Sequence, residues 1–175
     1  MDKNGMTIDT ILSTFKNQLN KDFDKYRNHV HRVYLNCTLL DENIDNHEKY
    51  AIASVFHDIG IWTAQTFDYL NPSIKEASVY LISTGKTYWQ EEIAEMIQWH
   101  HKINPYEGKS PLIEMFRKAD IIDISFGLFS FGVDKSELRK NKIRYPVMNF
   151  HQFLFKKALK NLFKNPFNPL PMFKI

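Results

Sequence analysis

Cysteine, glycine and proline are scarce in this chain of 175 residues, which contains one cysteine, six glycines and seven prolines. With Cys37 alone, neither an internal disulfide nor a thiolate zinc site can form. Cys37 lies in the apolar segment 33–37, so we interpret it as a small buried hydrophobic residue. These features favour a reducing, cytoplasmic compartment.

Long apolar runs are also missing from the sequence. No stretch approaches the roughly 20 apolar residues that cross a bilayer, and the polar N-terminal decapeptide has no apolar core of a secretion signal. We therefore expect a soluble protein with no membrane partner. Hydrophobic residues make up 43% of the chain, which is enough to fill the core of one domain.

Charge is distributed unevenly along the chain. Residues 1–134 carry 13 Lys/Arg against 19 Asp/Glu, whereas residues 135–175 carry 10 Lys/Arg against Glu137 alone. Such a basic segment is able to meet nucleic acid, a membrane surface or an anionic substrate. A run of charge is more often a solvated helix face, and that is our expectation here. We predict no clear nucleic-acid partner, and the oligomeric state stays open.

Apolar residues recur at the spacing of one helix face, beginning with Ile8, Ile11, Leu12, Phe15 and Leu19. Strand alternation and a glycine-rich phosphate loop are absent from the sequence. The pattern therefore predicts an all-α domain over residues 1–175. Further helices are expected near residues 30–40, 46–60, 73–85, 87–101, 110–120 and 149–162, with a short one after residue 134.

Several residues mark where these helices begin and end. Gly60 is expected to end the third helix, and Ser73 with Glu76 predicts a capping box at the start of the fourth. Ser110 followed by Pro111 predicts the start of the sixth helix. The proline-rich residues 165–175 should be extended. Their apolar side chains indicate that they dock on the domain.

The strongest chemical signal is the pair His57-Asp58 in an apolar segment that runs into Gly60. A histidine nitrogen beside a carboxylate oxygen suits Mn, Fe, Co, Ni or Zn better than Ca. An apolar helix end is also an unfavourable place for a carboxylate unless a cation pairs with it. His29 and Asp120 occupy similarly apolar helical positions elsewhere in the chain.

The order His-x-x-Arg-Val from His29, His-Asp-Ile-Gly from His57, and Lys-Ala-Asp ending at Asp120 resembles the signature of the HD-domain superfamily of metal-dependent phosphohydrolases. It covers residues 29–120, roughly half the chain. The resemblance implies a helical bundle with a metal held between helices by His29, His57, Asp58 and Asp120. The implied motif core spans residues 26–124, and a C-terminal helix with an extended proline-rich tail spans residues 146–175.

His31 is an alternative candidate for the first metal ligand. It lies two residues from His29 and about 200° round the helix. Both imidazoles cannot face one metal, and the His-x-x-Arg-Val spacing of the motif favours His29. One divalent ion is expected (Mn, Fe, Co, Ni, Zn or Mg). A second is not favoured, since no histidine lies between Asp58 and His100.

The resemblance implies hydrolysis of a nucleotide or another small phosphate ester by metal-activated water. Asp58 would act both as a ligand and as the catalytic proton acceptor. The motif makes Arg32 either a residue that lines the site and contacts the substrate or one that supports the ligands from behind. Lys75 and Lys118 are candidate substrate contacts by location alone. His100 and His101 are candidates because they follow Ile93 and Ile97 at helical spacing. Two alternatives stay open: a sensor that binds a nucleotide or metal without turnover, and a hydratase or oxygenase of a small metabolite.

Overall fold

The structure of the protein, a computed structural model, describes residues 3–165. Within this range the chain is helical, with no β-strand, which confirms the all-α prediction. The helices are α1 (Lys3–Thr14), α2 (Lys16–Leu19), α3 (Phe23–Leu40), α4 (His47–Phe56), α5 (Gly60–Thr63), α6 (Leu70–Ser83), α7 (Gln90–Trp99), α8 (Pro111–Ile124), α9 (Lys135–Arg144) and α10 (Phe150–Lys164).

Helix α3 lies at the middle of the bundle and packs against α8 and α4, while α1 covers α4 and α3. Helices α6 and α7 form a pair that packs on α4, and α7 also contacts α8. The apolar spacing in the sequence explains this layering, since Ile8, Ile11 and Leu12 of α1 are buried on the face towards α4. The predicted ligands on α3, on α8 and directly after α4 therefore meet in the interior.

The predicted start of the sixth helix is confirmed, because α8 begins with Pro111 directly after Ser110. The short helix expected after residue 134 is also present, and the Asp134 carboxylate accepts a hydrogen bond of 2.7 Å from the Ser136 amide. Gly85, just past α6, has a φ of 70°, as expected for a glycine that follows a helix.

The roles predicted for Gly60 and Ser73 at helix ends are wrong. Helix α4 ends at Phe56, three residues before the expected end, and Gly60 opens α5 instead of closing α4. A Cβ on Gly60 would lie 2.4 Å from the Tyr69 carbonyl oxygen, so close packing and not a left-handed cap requires glycine here. Ser73 lies inside α6, where its Oγ accepts a hydrogen bond of 2.9 Å from the Gly60 amide. It is therefore not the cap of that helix.

Of the predicted extended tail, residues 165–175, all but Asn165 lie outside the described part of the chain. Among the helices of residues 3–165, none combines the length and the apolar character needed to span a membrane.

Candidate metal centre

Four side chains from separate parts of the sequence converge at one buried point. His29 comes from the middle of α3, His57 and Asp58 from the turn between α4 and α5, and Asp120 from α8. Each of the four is at most 1% exposed. The early end of α4 allows this arrangement, because His57 and Asp58 lie on a turn between two helices.

The donor atoms of these residues face one another. His29 Nε2 lies 2.9 Å from His57 Nε2, 3.7 Å from Asp58 Oδ2 and 3.7 Å from Asp120 Oδ1. His57 Nε2 lies 3.4 Å from Asp58 Oδ2 and 3.8 Å from Asp120 Oδ1. The sequence-predicted ligands are thus in contact with one another.

These separations suit a shared ion. Bonds of about 2.0–2.2 Å from a metal to nitrogen and oxygen place neighbouring ligand atoms roughly 3.0–3.5 Å apart. The donors of His29, His57 and Asp58 all lie within 4.8 Å of one another, and Asp58 with His100 and His101 forms a second such group. The buried histidine and aspartate groups of this centre could therefore hold a metal ion.

Burial perturbs the ionisation of the centre. Burial raises the pKa of Asp120 to about 7, against the opposing effect of His100 and His29. Burial also acts to raise the pKa of Asp58, but the neighbouring imidazoles outweigh it and hold that pKa well below its usual range. Burial lowers the pKa of His57 to about 3, so His57 is neutral at pH 7, as a metal ligand must be.

Three buried atoms beside the four facing donor atoms have no hydrogen bond of good geometry among the described residues: Asp58 Oδ1, Asp120 Oδ2 and His100 Nε2, of which Asp58 Oδ1 and His100 Nε2 lie 3.4 Å apart. A buried polar atom without a partner is destabilising, and native interiors contain few of them. Two carboxylates buried together also need positive charge. A divalent cation would supply that charge, so the donor set fits the metal that the sequence implies.

Asp123 is the residue that sequence reasoning missed. Its Oδ2 lies 2.7 Å from His29 Nδ1, and its two oxygens accept hydrogen bonds of 2.6 and 2.9 Å from Arg32 Nε and Nη2. Asp123 therefore orients the His29 ring so that Nε2 faces the other ligands. The sequence spacing could have indicated this pair, because Asp123 and Arg32 each lie three residues after a predicted ligand, on the same side of its helix.

Arg32 does not line an open site, so of the two roles that the motif allows, its position fits support of the ligands and not a substrate contact. Its guanidinium is 1% exposed and is engaged by Asp123 and by the carbonyl oxygens of Tyr145 and Pro146. The bonds to these two carbonyls tie α3 to the segment between α9 and α10. In this structure Arg32 supports the ligand shell through Asp123.

The two lysines named by location do not join the cluster of donor atoms. Lys75 is exposed on α6. Lys118 lies 3.7 Å from Glu114 on its own helix and 5.7 Å from the centre of the Phe131 ring. Neither contact involves a residue of the centre.

His100 and His101 do reach the centre. They follow the last residue of α7, and His100 Nε2 lies 3.4 Å from Asp58 Oδ1. His101 Nε2 is hydrogen-bonded with the Tyr69 hydroxyl and lies 3.9 Å from Asp58 Oδ1. The His101 side chain is 11% exposed, more than any of the predicted ligands, so it lies on the solvent side of the centre.

The loop that follows His101 is fixed to α8 by hydrogen bonds from the ion pair of Arg117 and Glu114. Arg117 donates two hydrogen bonds, of 2.8 and 2.7 Å, to Glu114, and it also donates to the Lys102 carbonyl oxygen at 3.0 Å. Glu114 accepts a further bond of 2.8 Å from the Tyr106 amide. These bonds therefore hold the start and the middle of the loop beside the two histidines.

His31 points away from the centre, as expected if His29 is the first ligand. Its Nε2 lies 2.9 Å from Asp9 Oδ1, and its ring stacks on Tyr145 at 4.4 Å between ring centres. A cavity of about 570 Å³ between α1 and α6 is lined by none of the residues of the centre.

The chain was compared with protein-family models, with curated proteins and with solved structures, and none of the three comparisons gives a significant match.

Proposed function

We propose that this protein is a metal-dependent hydrolase of the HD-domain type that acts on a nucleotide or another small phosphate ester. One observation carries the proposal: the residues that the motif selects come from three separate segments of the chain and meet at one buried point, namely His29, the pair His57-Asp58, and Asp120. Chance occurrences of the short motif elements have no reason to converge in this way.

His29 Nε2, His57 Nε2, Asp58 Oδ2 and Asp120 Oδ1 would hold one divalent ion. When bound, such an ion activates a water molecule near neutral pH and polarises a phosphoryl oxygen. The Asp123 carboxylate, which is paired with Arg32, keeps the His29 ring in the ligating orientation. Because Asp123 and Arg32 balance each other's charge, the two ligating carboxylates remain to balance the ion.

Asp58 has two distinct surroundings within one carboxylate. Its Oδ2 faces His57 at 3.4 Å, whereas its Oδ1 faces His100 at 3.4 Å and His101 at 3.9 Å. Oδ1 is therefore placed to accept a proton from the attacking water while Oδ2 serves as a ligand. His100 Nε2 is placed to contact either that carboxylate or the substrate.

We assign the phosphate contact to His100 and His101. Arg32 is already engaged, and the contacts of Lys118 are with Glu114 and Phe131. The more exposed His101 would meet the substrate first. Its Nε2 is hydrogen-bonded to Tyr69, and its Nδ1 lies 3.9 Å from Asp120 Oδ2, so both ring nitrogens of His101 face polar groups beside the centre.

The test is to strip the protein of metal, reload it with Mn, Fe, Co, Ni, Zn or Mg separately, and screen each form against nucleotides and generic phosphate esters. We expect turnover with at least one metal, loss of that turnover in Asp58→Asn, and full turnover in the matched exposed control Asp24→Asn. Tight metal binding without turnover of any phosphate ester would contradict the hydrolase and favour a sensor.

A further inference from the structure

The loop between α8 and α9 exposes an unusual number of apolar side chains. Phe126, Leu128, Phe129 and Phe131 are 56%, 76%, 57% and 42% exposed. Isolated exposed apolar residues are ordinary, but four within six positions form a contiguous cluster, which commonly marks an interaction surface.

The backbone holds these side chains outward. Phe126 and Phe131 have φ values of 56° and 48°, a region that residues with a Cβ rarely adopt. The loop is nevertheless anchored, because Lys142 donates a hydrogen bond to the Phe126 carbonyl oxygen and the Phe129 amide donates one to Ser125 Oγ. An unfavourable conformation fixed by specific hydrogen bonds is expected where a loop presents its side chains for binding.

The apolar cluster continues along the outer face of α10. The Phe126 ring lies 4.0 Å from the His151 ring, and Phe155, Leu159 and Leu162 follow His151 at positions i+4, i+8 and i+11. Phe155, Leu159 and Leu162 are 64%, 38% and 41% exposed. We call the loop residues 126–131 together with these three side chains the apolar surface.

Positive charge surrounds the apolar surface. Residues 126–165 contain seven lysines and two arginines against Asp134 and Glu137. Lys142 lies 6.0 Å from the Phe126 ring centre, and Lys118 lies 5.7 Å from that of Phe131. A partner that covers this surface must therefore offer both an apolar layer and negative charge.

We infer that the apolar surface docks on the face of an anionic lipid bilayer. An exposed helix face of Phe and Leu with lysines beside it is typical of segments that lie in the interface plane, with the lysines reaching the headgroups. This departs from the expectation of no membrane partner, which depended on the lack of a spanning run. A helix that lies on a membrane needs no such run.

Two other occupants fit less well. A second copy of the chain would bring two faces of the same positive charge together. Single-stranded nucleic acid would use the cations and phenylalanines, but Leu128, Leu159 and Leu162 cannot stack on bases. All three leucines can enter the acyl boundary of a bilayer.

The experiment is co-sedimentation of the whole chain with vesicles of phosphatidylcholine alone and of phosphatidylcholine with phosphatidylserine. We expect binding to the phosphatidylserine vesicles only, weakened by added salt. The double variant Leu128→Ser/Phe129→Ser should bind these vesicles on the order of ten- to a hundredfold more weakly, as expected for removing two inserted apolar side chains.

The matched control is Ile44→Ser, which removes an apolar side chain that is 77% exposed. Ile44 follows the C-terminal end of α3, and the loop follows the C-terminal end of α8. These helices run antiparallel, since His29 contacts Asp123 and Asn36 contacts Ala119. Ile44→Ser should therefore bind like the wild type.

The inference is overturned if the wild type binds neither kind of vesicle. It is also overturned if Leu128→Ser/Phe129→Ser and the control Ile44→Ser bind phosphatidylserine vesicles equally well. A concentration-dependent dimer that the loop variant abolishes, or binding to an oligonucleotide but not to vesicles, would also overturn it and identify the other occupant.

Discussion

Replacement of Asp123 by asparagine removes no predicted ligand, yet it should strongly destabilise the centre. Asparagine keeps the shape of aspartate but has one acceptor oxygen in place of two. Its amide group would face a donor, since both aspartate oxygens now accept from Arg32 and one also contacts His29. The Arg32 guanidinium, which is 1% exposed, would lose its counter-charge.

The magnitude follows from this geometry. Removing one partner of a buried ion pair typically costs about 3–5 kcal/mol. Arg32 keeps its bonds to the carbonyl oxygens of Tyr145 and Pro146, so we expect the lower end, about 3 kcal/mol of unfolding free energy. The affinity for metal should fall roughly 10- to 100-fold, because the His29 ring loses its orienting carboxylate.

Urea unfolding followed by far-UV circular dichroism measures the stability, and titration of the metal-free protein measures the affinity. Asp24→Asn is the matched control on α3, and since Asp24 is exposed it should change stability by less than about 0.5 kcal/mol. In Arg32→Met/Asp123→Asn the loss should be much smaller than the sum of the two single losses. An Asp123→Asn protein within 1 kcal/mol of the wild type in stability and unchanged in affinity would refute the role given to Asp123.

Three further predictions concern the surroundings of the centre. Gly60→Ala should lower the unfolding free energy by roughly 1–3 kcal/mol in thermal or urea unfolding, because the new Cβ would meet the Tyr69 carbonyl oxygen at 2.4 Å. Burial acts to raise the pKa of Glu114, but Arg117 outweighs it and lowers that pKa below its usual value. The Glu114 carboxylate therefore adds its full stabilisation above the unfolded pKa of about 4.3, and this stabilisation is lost as the pH falls through the lower folded pKa. Glu114→Gln should have a lower unfolding free energy than the wild type at pH 7, and the difference should disappear on acidification. A gap that stays constant with pH would contradict this. His100→Ala should keep its metal while activity falls roughly 10- to 1000-fold, with a smaller loss in His101→Ala; the loss of one of two bound ions in His100→Ala would show instead that His100 is a ligand.

The helices could be predicted from the sequence because their signals are local. Ile8, Ile11 and Leu12 face the core as their spacing indicates, and α8 starts at Pro111 as proline's geometry requires. The role of Gly60 could not be predicted, because it depends on how closely Gly60 approaches the Tyr69 carbonyl oxygen in three dimensions.

In the centre, too, the parts that depend on local sequence could be predicted and the parts that depend on three-dimensional packing could not. The motif spacing selected His29, His57, Asp58 and Asp120, and the structure brings their donor atoms together. The role of Asp123 depends on the antiparallel packing of α3 against α8, which no short sequence motif encodes. The motif left open whether Arg32 lines the site or supports the ligands, because it gives the position of Arg32 along the helix but not the acidic partner that binds it.

The most direct test of the central claim is the metal content of the purified protein beside that of Asp58→Ala, measured by elemental analysis. We predict about one divalent ion per wild-type chain. Removal of the ion by a chelator should lower the melting temperature, because ligand binding stabilises the folded state. Asp58→Ala should retain almost none, since it loses a ligand and a balancing charge. A full complement of metal in Asp58→Ala, or a wild type that binds none of the six candidate metals, would contradict the assignment of this centre.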